Sequence, residues 1–192
     1  MKLVKSMVVG LAFVAGTASA GVYTSVEVSN EEARATGDTN VKYGVVVGVK
    51  DKSGMDYSIK VDSSQAKIGD GSLSNGAEVR AKKTFAGISV YDVKPYVGIR
   101  VGHKIKADTD FSHYAVDYGV KFPIIGKIVH LDIGGRYRNA FDTDNTMKSN
   151  RAHALVSWNL TKQDTVGVRY SQAYGDVSEE KNAWRLSYTR SF

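Results

Sequence analysis

Three histidines, one serine and several carboxylates are the residues whose types could do chemistry. His113, His130 and His153 fall at the same parity on three consecutive alternating segments, so all three face one side. His113 and His153 sit toward one end of their segments and His130 toward the other. A shared metal is not expected, because ligands must converge within about 2 Å of the ion. Ser112 precedes His113, a nucleophile next to a base, yet neighbours on an extended chain point to opposite faces and cannot cooperate. Asp108-Thr-Asp110 and Asp142-Thr-Asp144-Asn145 carry carboxylates at a Ca²⁺-like spacing, but lack the Gly and distal Glu of a calcium loop. They read as solvated loops. With no Cys, there is no disulfide, thiolate nucleophile or thiolate metal site. No catalytic group, metal or cofactor is expected. What remains is a long series of Lys and Arg placed at every second position, a chemistry of electrostatics.

The elements that position those charges follow from a period of two. From Gly21 to Phe192 apolar and polar residues alternate in ten segments, the mark of half-buried strands. Val41, Tyr43, Val45, Val47 and Val49 oppose Lys42, Gly44, Val46, Gly48 and Lys50. Val93, Pro95, Val97, Ile99 and Val101 oppose Lys94, Tyr96, Gly98, Arg100, Gly102 and Lys104. Ten strands are expected, with eight as the other count the pattern allows. Connections alternate as well: short ones at Asp51–Gly54, Pro123–Lys127 and Thr161–Asp164, longer polar ones at Asn30–Asn40, Ser63–Gly76 and Ala140–Ser149. That asymmetry predicts a closed antiparallel up-and-down β-barrel that crosses a bilayer.

Residues 1–20 precede this pattern and read as a secretory signal peptide. Lys2 and Lys5 form the charged start, Met7–Gly16 the apolar stretch and Ala18-Ser19-Ala20 the small-residue cleavage site. The barrel domain is then 21–192. Removing Lys2 and Lys5 lowers the net charge from +6 to +4.

The apolar face carries two aromatic girdles. Tyr57, Phe85, Phe122, Trp158 and Phe192 fall at one rim, and Tyr43, Tyr114, Tyr137, Tyr170 and Trp184 at the other. Aromatics flanking a Val, Ile, Leu and Ala band suit a wall that faces lipid, with headgroups at both rims. The chain ends Trp184-Arg-Leu-Ser-Tyr-Thr-Arg-Ser-Phe192.

With its leader, alternation and terminal strand, the sequence resembles the bacterial outer-membrane β-barrel family of small porin-like barrels. The resemblance implies an outer-membrane location in a Gram-negative-type envelope, contact with outer-membrane lipid and lipopolysaccharide, and assembly by the barrel-assembly machinery. Trp184, Leu186, Tyr188 and Phe192 would be the assembly signal. Arg190 departs from the apolar residue usual at that place, and at the rim its long side chain can reach the headgroups. Barrel enzymes of this compartment need a His with a Ser or acidic partner at the outer rim, which Ser112 and His113 do not supply, so no enzyme is expected.

The polar parity faces the lumen. Its bases include Lys42, Lys60, Arg80, Lys82, Arg100, Lys104, Lys121, Arg136, Arg138, Arg151, Arg169 and Arg185. Its acids include Glu27, Asp56, Glu78, Asp117 and Asp132. With Lys50, Lys94 and Asp62 they make fourteen bases against six acids. The basic character therefore lies inside, which argues against a nucleic-acid partner, since that needs an exposed basic surface. Six acids cannot pair fourteen bases one to one, and unpaired buried charge is costly. Seven inward glycines are expected to leave room. The expected function is a narrow channel favouring small anions. The alternative is a non-conducting structural barrel, or one acting in adhesion through its outer loops.

Overall fold

The computed structural model describes residues 21–66, 73–87, 92–105, 110–141, 148–175 and 180–192. The expected leader, and the loop carboxylates Asp108, Asp142 and Asp144 with Asn145, lie outside these residues. Ten strands run in chain order: β1 (Gly21–Ala33), β2 (Thr39–Lys50), β3 (Met55–Ala66), β4 (Leu73–Thr84), β5 (Lys94–Ile105), β6 (Asp110–Ile125), β7 (Val129–Ala140), β8 (Ser149–Asn159), β9 (Asp164–Gly175) and β10 (Lys181–Ser191). Each pairs antiparallel with its chain neighbours, and β1 pairs with β10, so the sheet is a closed barrel. Closure satisfies the backbone groups of every strand, which a structure in lipid requires.

β-branched residues build the wall because they pack well on a pleated surface. Val26, Val45, Val61 and Ala77 stand side by side across four strands on the outer face. Ile99 is 61% exposed and Leu186 56%, values that suit a lipid-facing surface rather than a core. The aromatic girdle groups at the upper rim: Tyr170 and Trp184 lie 4.8 Å apart, Tyr114 and Tyr137 6.3 Å, and Tyr114 and Phe141 5.3 Å, measured between ring centres. Tyr118, outward at mid-height, lies across Gly135, where a Cβ would meet its ring at 2.6 Å.

The lower rim carries the tight turns. Between β2 and β3, Gly54 has φ +88° and Asp51 accepts bonds from Met55 N at 2.9 Å and Ser53 Oγ at 2.7 Å. These bonds hold the Asp51 carboxyl below its ordinary range. Pro123 still stands opposite His130 where β6 meets β7, and the register shifts between Pro123 and Ile125.

Two expected loops are shorter than the alternation suggests. β1 continues to Ala33 and β2 begins at Thr39; β3 continues to Ala66 and β4 begins at Leu73. Above the apolar band both faces of a strand meet water, so side-chain alternation stops while the hydrogen-bonded ladder continues. β6 likewise runs through Pro123 to Ile125, into the expected turn.

Candidate functional site

The site is the interior. Side chains of one parity turn inward from all ten strands, and the register fixes which of them meet. Across neighbouring strands Arg80 stands opposite Arg100, Arg136 opposite Arg151, and Arg169 opposite Arg185. Like charges so placed repel. Carboxylates on nearby strands offset this in all but one case.

Four clusters result. At mid-height Asp117 bonds both Arg100 Nε and Arg136 Nε, the latter at 2.8 Å. Arg100 also reaches Glu78 at 3.2 Å, and Glu78 lies 3.3 Å from His113 Nε2. In the second cluster Glu27 holds Lys60 and Arg185, the arginine at 3.1 Å. In the third, Asp56 accepts from Tyr23 Oη at 2.8 Å and faces Arg80 at 3.4 Å and Lys82 at 3.9 Å. In the fourth, Tyr96 Oη donates to Asp132 at 2.8 Å, with His153 Nε2 at 3.2 Å from the same oxygen. Toward the upper rim Lys42 pairs with Asp62 at 2.9 Å and Arg151 with Glu31 at 3.7 Å.

The carboxylates are thus shared, two bases to one acid at Glu27, Asp56 and Asp117, so one-to-one counting overstates the number of bases without a partner, while each such trio keeps a net positive charge. Glu31 joins the interior from a stretch expected to be loop. Even so, Lys104, Lys121 and Arg169 have no carboxylate partner within ion-pair distance among the described residues. Arg138 lines the upper interior with Lys104.

The glycines behave differently from expectation. A Cβ on Gly48 would strike the Tyr23 ring at 2.6 Å, and on Gly119 or Gly134 the Tyr96 hydroxyl at 2.6 and 2.4 Å. At Gly102 it would meet His113 at 2.7 Å. These glycines seat large inward side chains instead of widening the bore. Small cavities remain between these side chains among the described residues. One of about 30 Å³ lies in the upper half, among Lys42, Lys104, Arg138 and Arg151. One of about 40 Å³ lies near the middle, among Glu27, Lys60, Arg80, Arg169 and Arg185. Each holds roughly two or three waters.

His113 and His153 fall in separate clusters. His113 serves Glu78 and His153 serves Asp132. Among the described residues no three His, Cys, Asp or Glu converge as a metal site. Ser112 faces outward, 3.0 Å from His103 Nδ1, whereas His113 is buried inside.

The terminal residues close the seam. Phe192 N donates to Val22 O at 2.8 Å, while Trp184, Leu186, Tyr188 and Phe192 all face outward. Arg190 is held by Asp164 at 3.7 Å, and Tyr188 Oη donates to the same carboxylate at 2.6 Å. The unusual arginine therefore has a partner at the rim.

No family model and no curated protein matches the chain. Solved structures do match. An outer-membrane channel from Pseudomonas putida F1 is 7% identical, with 90% of this chain and 96% of that one covered and a TM-score of 0.58. The beta domain of the Bordetella autotransporter BrkA is 12% identical over 91% of this chain and 100% of its own, at TM-score 0.56. The NanC porin is 10% identical over 88% of this chain and 100% of its own, at 0.55. At these identities the likeness is one of fold: that of outer-membrane β-barrels.

Proposed function

We propose that the protein is an outer-membrane barrel whose narrow, basic lumen passes small anions. The observation that carries this reading is the file of cations without a carboxylate partner among the described residues: Lys104 in the upper half, Arg169 near the middle and Lys121 lower down. A cation buried without a partner costs several kcal/mol unless water or an anion reaches it. Together they would line a wet, positive path from mouth to mouth, with low-dielectric walls that repel cations. A porin and a channel among the structures of like fold agree with this reading. The outer membrane is where such a barrel would sit, with lipid and lipopolysaccharide around its girdles. Trp184, Leu186, Tyr188 and Phe192 would present its last strand to the barrel-assembly machinery. No catalytic role is assigned.

The decisive test is the reversal potential of refolded protein in a planar bilayer under a KCl gradient. Anion preference supports the reading. A silent barrel, or one selecting K⁺, rejects it. The small size of the two cavities and the tyrosines seated on inward glycines favour a second reading, a salt-bridged structural barrel. That reading expects a silent membrane.

A further inference from the structure

The guanidinium Nε groups of Arg80 and Arg169 are both buried without a hydrogen-bond acceptor among the described residues. Both arginines line the same central cavity, on opposite sides of Arg185 and Lys60 in the chamber wall. A buried donor left unmade costs about 1–3 kcal/mol, more when it belongs to a charged group. Two such donors, on residues that line one small chamber, are therefore a demand for an acceptor. The chamber wall holds five cations, Lys60, Arg80, Arg100, Arg169 and Arg185, against the carboxylates of Glu27 and Glu78. The Arg169–Arg185 cross-strand pair has Glu27 at 3.1 Å from Arg185 but no carboxylate within ion-pair distance of Arg169 among the described residues.

We propose that this central chamber binds a small multivalent oxyanion of the phosphate type, held between Arg80 and Arg169. Water satisfies a donor but leaves the surplus charge in place; an oxyanion answers both. Planar guanidinium forks match paired oxygens at fixed spacing better than they match a spherical halide. With the partners outside the wall included, Asp56 and Asp117 among the acids and Lys82 and Arg136 among the bases, seven cations face four carboxylates, so a dianion still leaves the surroundings positive. The ion displaces the waters that the cavity of about 40 Å³ admits, and the long side chains of Lys60 and Arg169 adjust around it. The inference deepens the anion-channel reading, on which its role in transport rests: the oxyanion would occupy a station midway along the path. The binding itself can be measured without any current.

The test is calorimetric titration of the refolded wild-type barrel with inorganic phosphate in a fixed background of KCl. Arg169→Gln should weaken phosphate binding about tenfold or more, because it removes one fork of a charge-assisted pair. Arg80→Gln should weaken it as well. Lys52→Gln, a change in an exposed turn, should leave it unchanged. Heat-shifted gel mobility shows that each variant is folded, and Arg169→Lys replaces Arg169→Gln should the latter fail to fold. Absence of phosphate binding in wild type overturns the proposal. So does equal weakening by Lys52→Gln, which would mean general charge attraction, or tighter binding of chloride than phosphate in a matched titration. In the bilayer, phosphate should block the chloride current of wild type more than that of Arg169→Gln. Phosphate binding with no current sinks the channel reading and leaves the site. Chloride current without phosphate binding does the reverse.

Discussion

Asp117 carries one carboxylate and binds two guanidiniums, Arg100 and Arg136. Changing it to Asn leaves those cations facing each other with Glu78 as the nearest counter-charge. Asp117→Asn should destabilise the folded barrel by roughly 3–5 kcal/mol, the usual cost of removing one member of a buried ion pair. Urea unfolding of the refolded protein measures it, and a loss within the error of the method would mean the cluster is water-screened. The glycines give a second prediction. Gly119→Ala puts a methyl 2.6 Å from both Ile133 O and the Tyr96 hydroxyl, so it should cost about 1–3 kcal/mol. Gly21→Ala meets nothing within 4 Å and should unfold like wild type. Which side chains turn inward was legible from parity alone. Which of them meet was not, because Arg100 finds Asp117 and Glu78 through the register of β4, β5 and β6, a relation between segments. The inward glycines obey the same limit: Gly134 seats Tyr96 from β5, two strands away, and no local pattern announces that neighbour.

At the level of the strand, a face is a commitment. Val45→Arg and Ile99→Arg should each destabilise by roughly 2–4 kcal/mol in a bilayer, since both project from mid-strand into lipid. Val46→Thr, one residue on and facing the polar interior, should cost little. Equilibrium unfolding in lipid vesicles separates them; equal effects would mean that the faces are assigned wrongly. The turns respond to pH. The Asp51 carboxyl is held low by Ser53 and Met55, so its contribution to the β2–β3 turn is present at neutral pH. It is lost as pH falls through that lowered value. Asp51→Ala should therefore separate from wild type in stability near pH 7 and converge with it in strong acid. Strand number and centres were readable from the sequence because lipid outside and water inside enforce alternation. Strand ends were not. At Glu31 and Glu32, and again near Ser63, both faces are wet, so the residues no longer record whether the backbone is paired.

The whole molecule is a cylinder with exposed apolar side chains outside and charge inside. Unheated protein should migrate faster on SDS gels than boiled protein, because the closed ladder resists the detergent until heat breaks it. Identical mobility would contradict a closed barrel. Every strand but two pairs only with its chain neighbours, through hairpins that close over a handful of residues. The β1–β10 seam differs: Thr24 must find Arg190, and Phe192 must find Val22. Joining chain segments that far apart costs about 3 kcal/mol more in loop entropy than closing a hairpin. The seam should therefore be the last pairing to form. Until it does, β1 and β10 are two raw edges, the form of sheet most prone to recruit a stranger. The danger to this protein is thus concentrated in time, in the interval before its two ends meet, and any change that delays their meeting will show first as aggregation and only afterwards as lost stability.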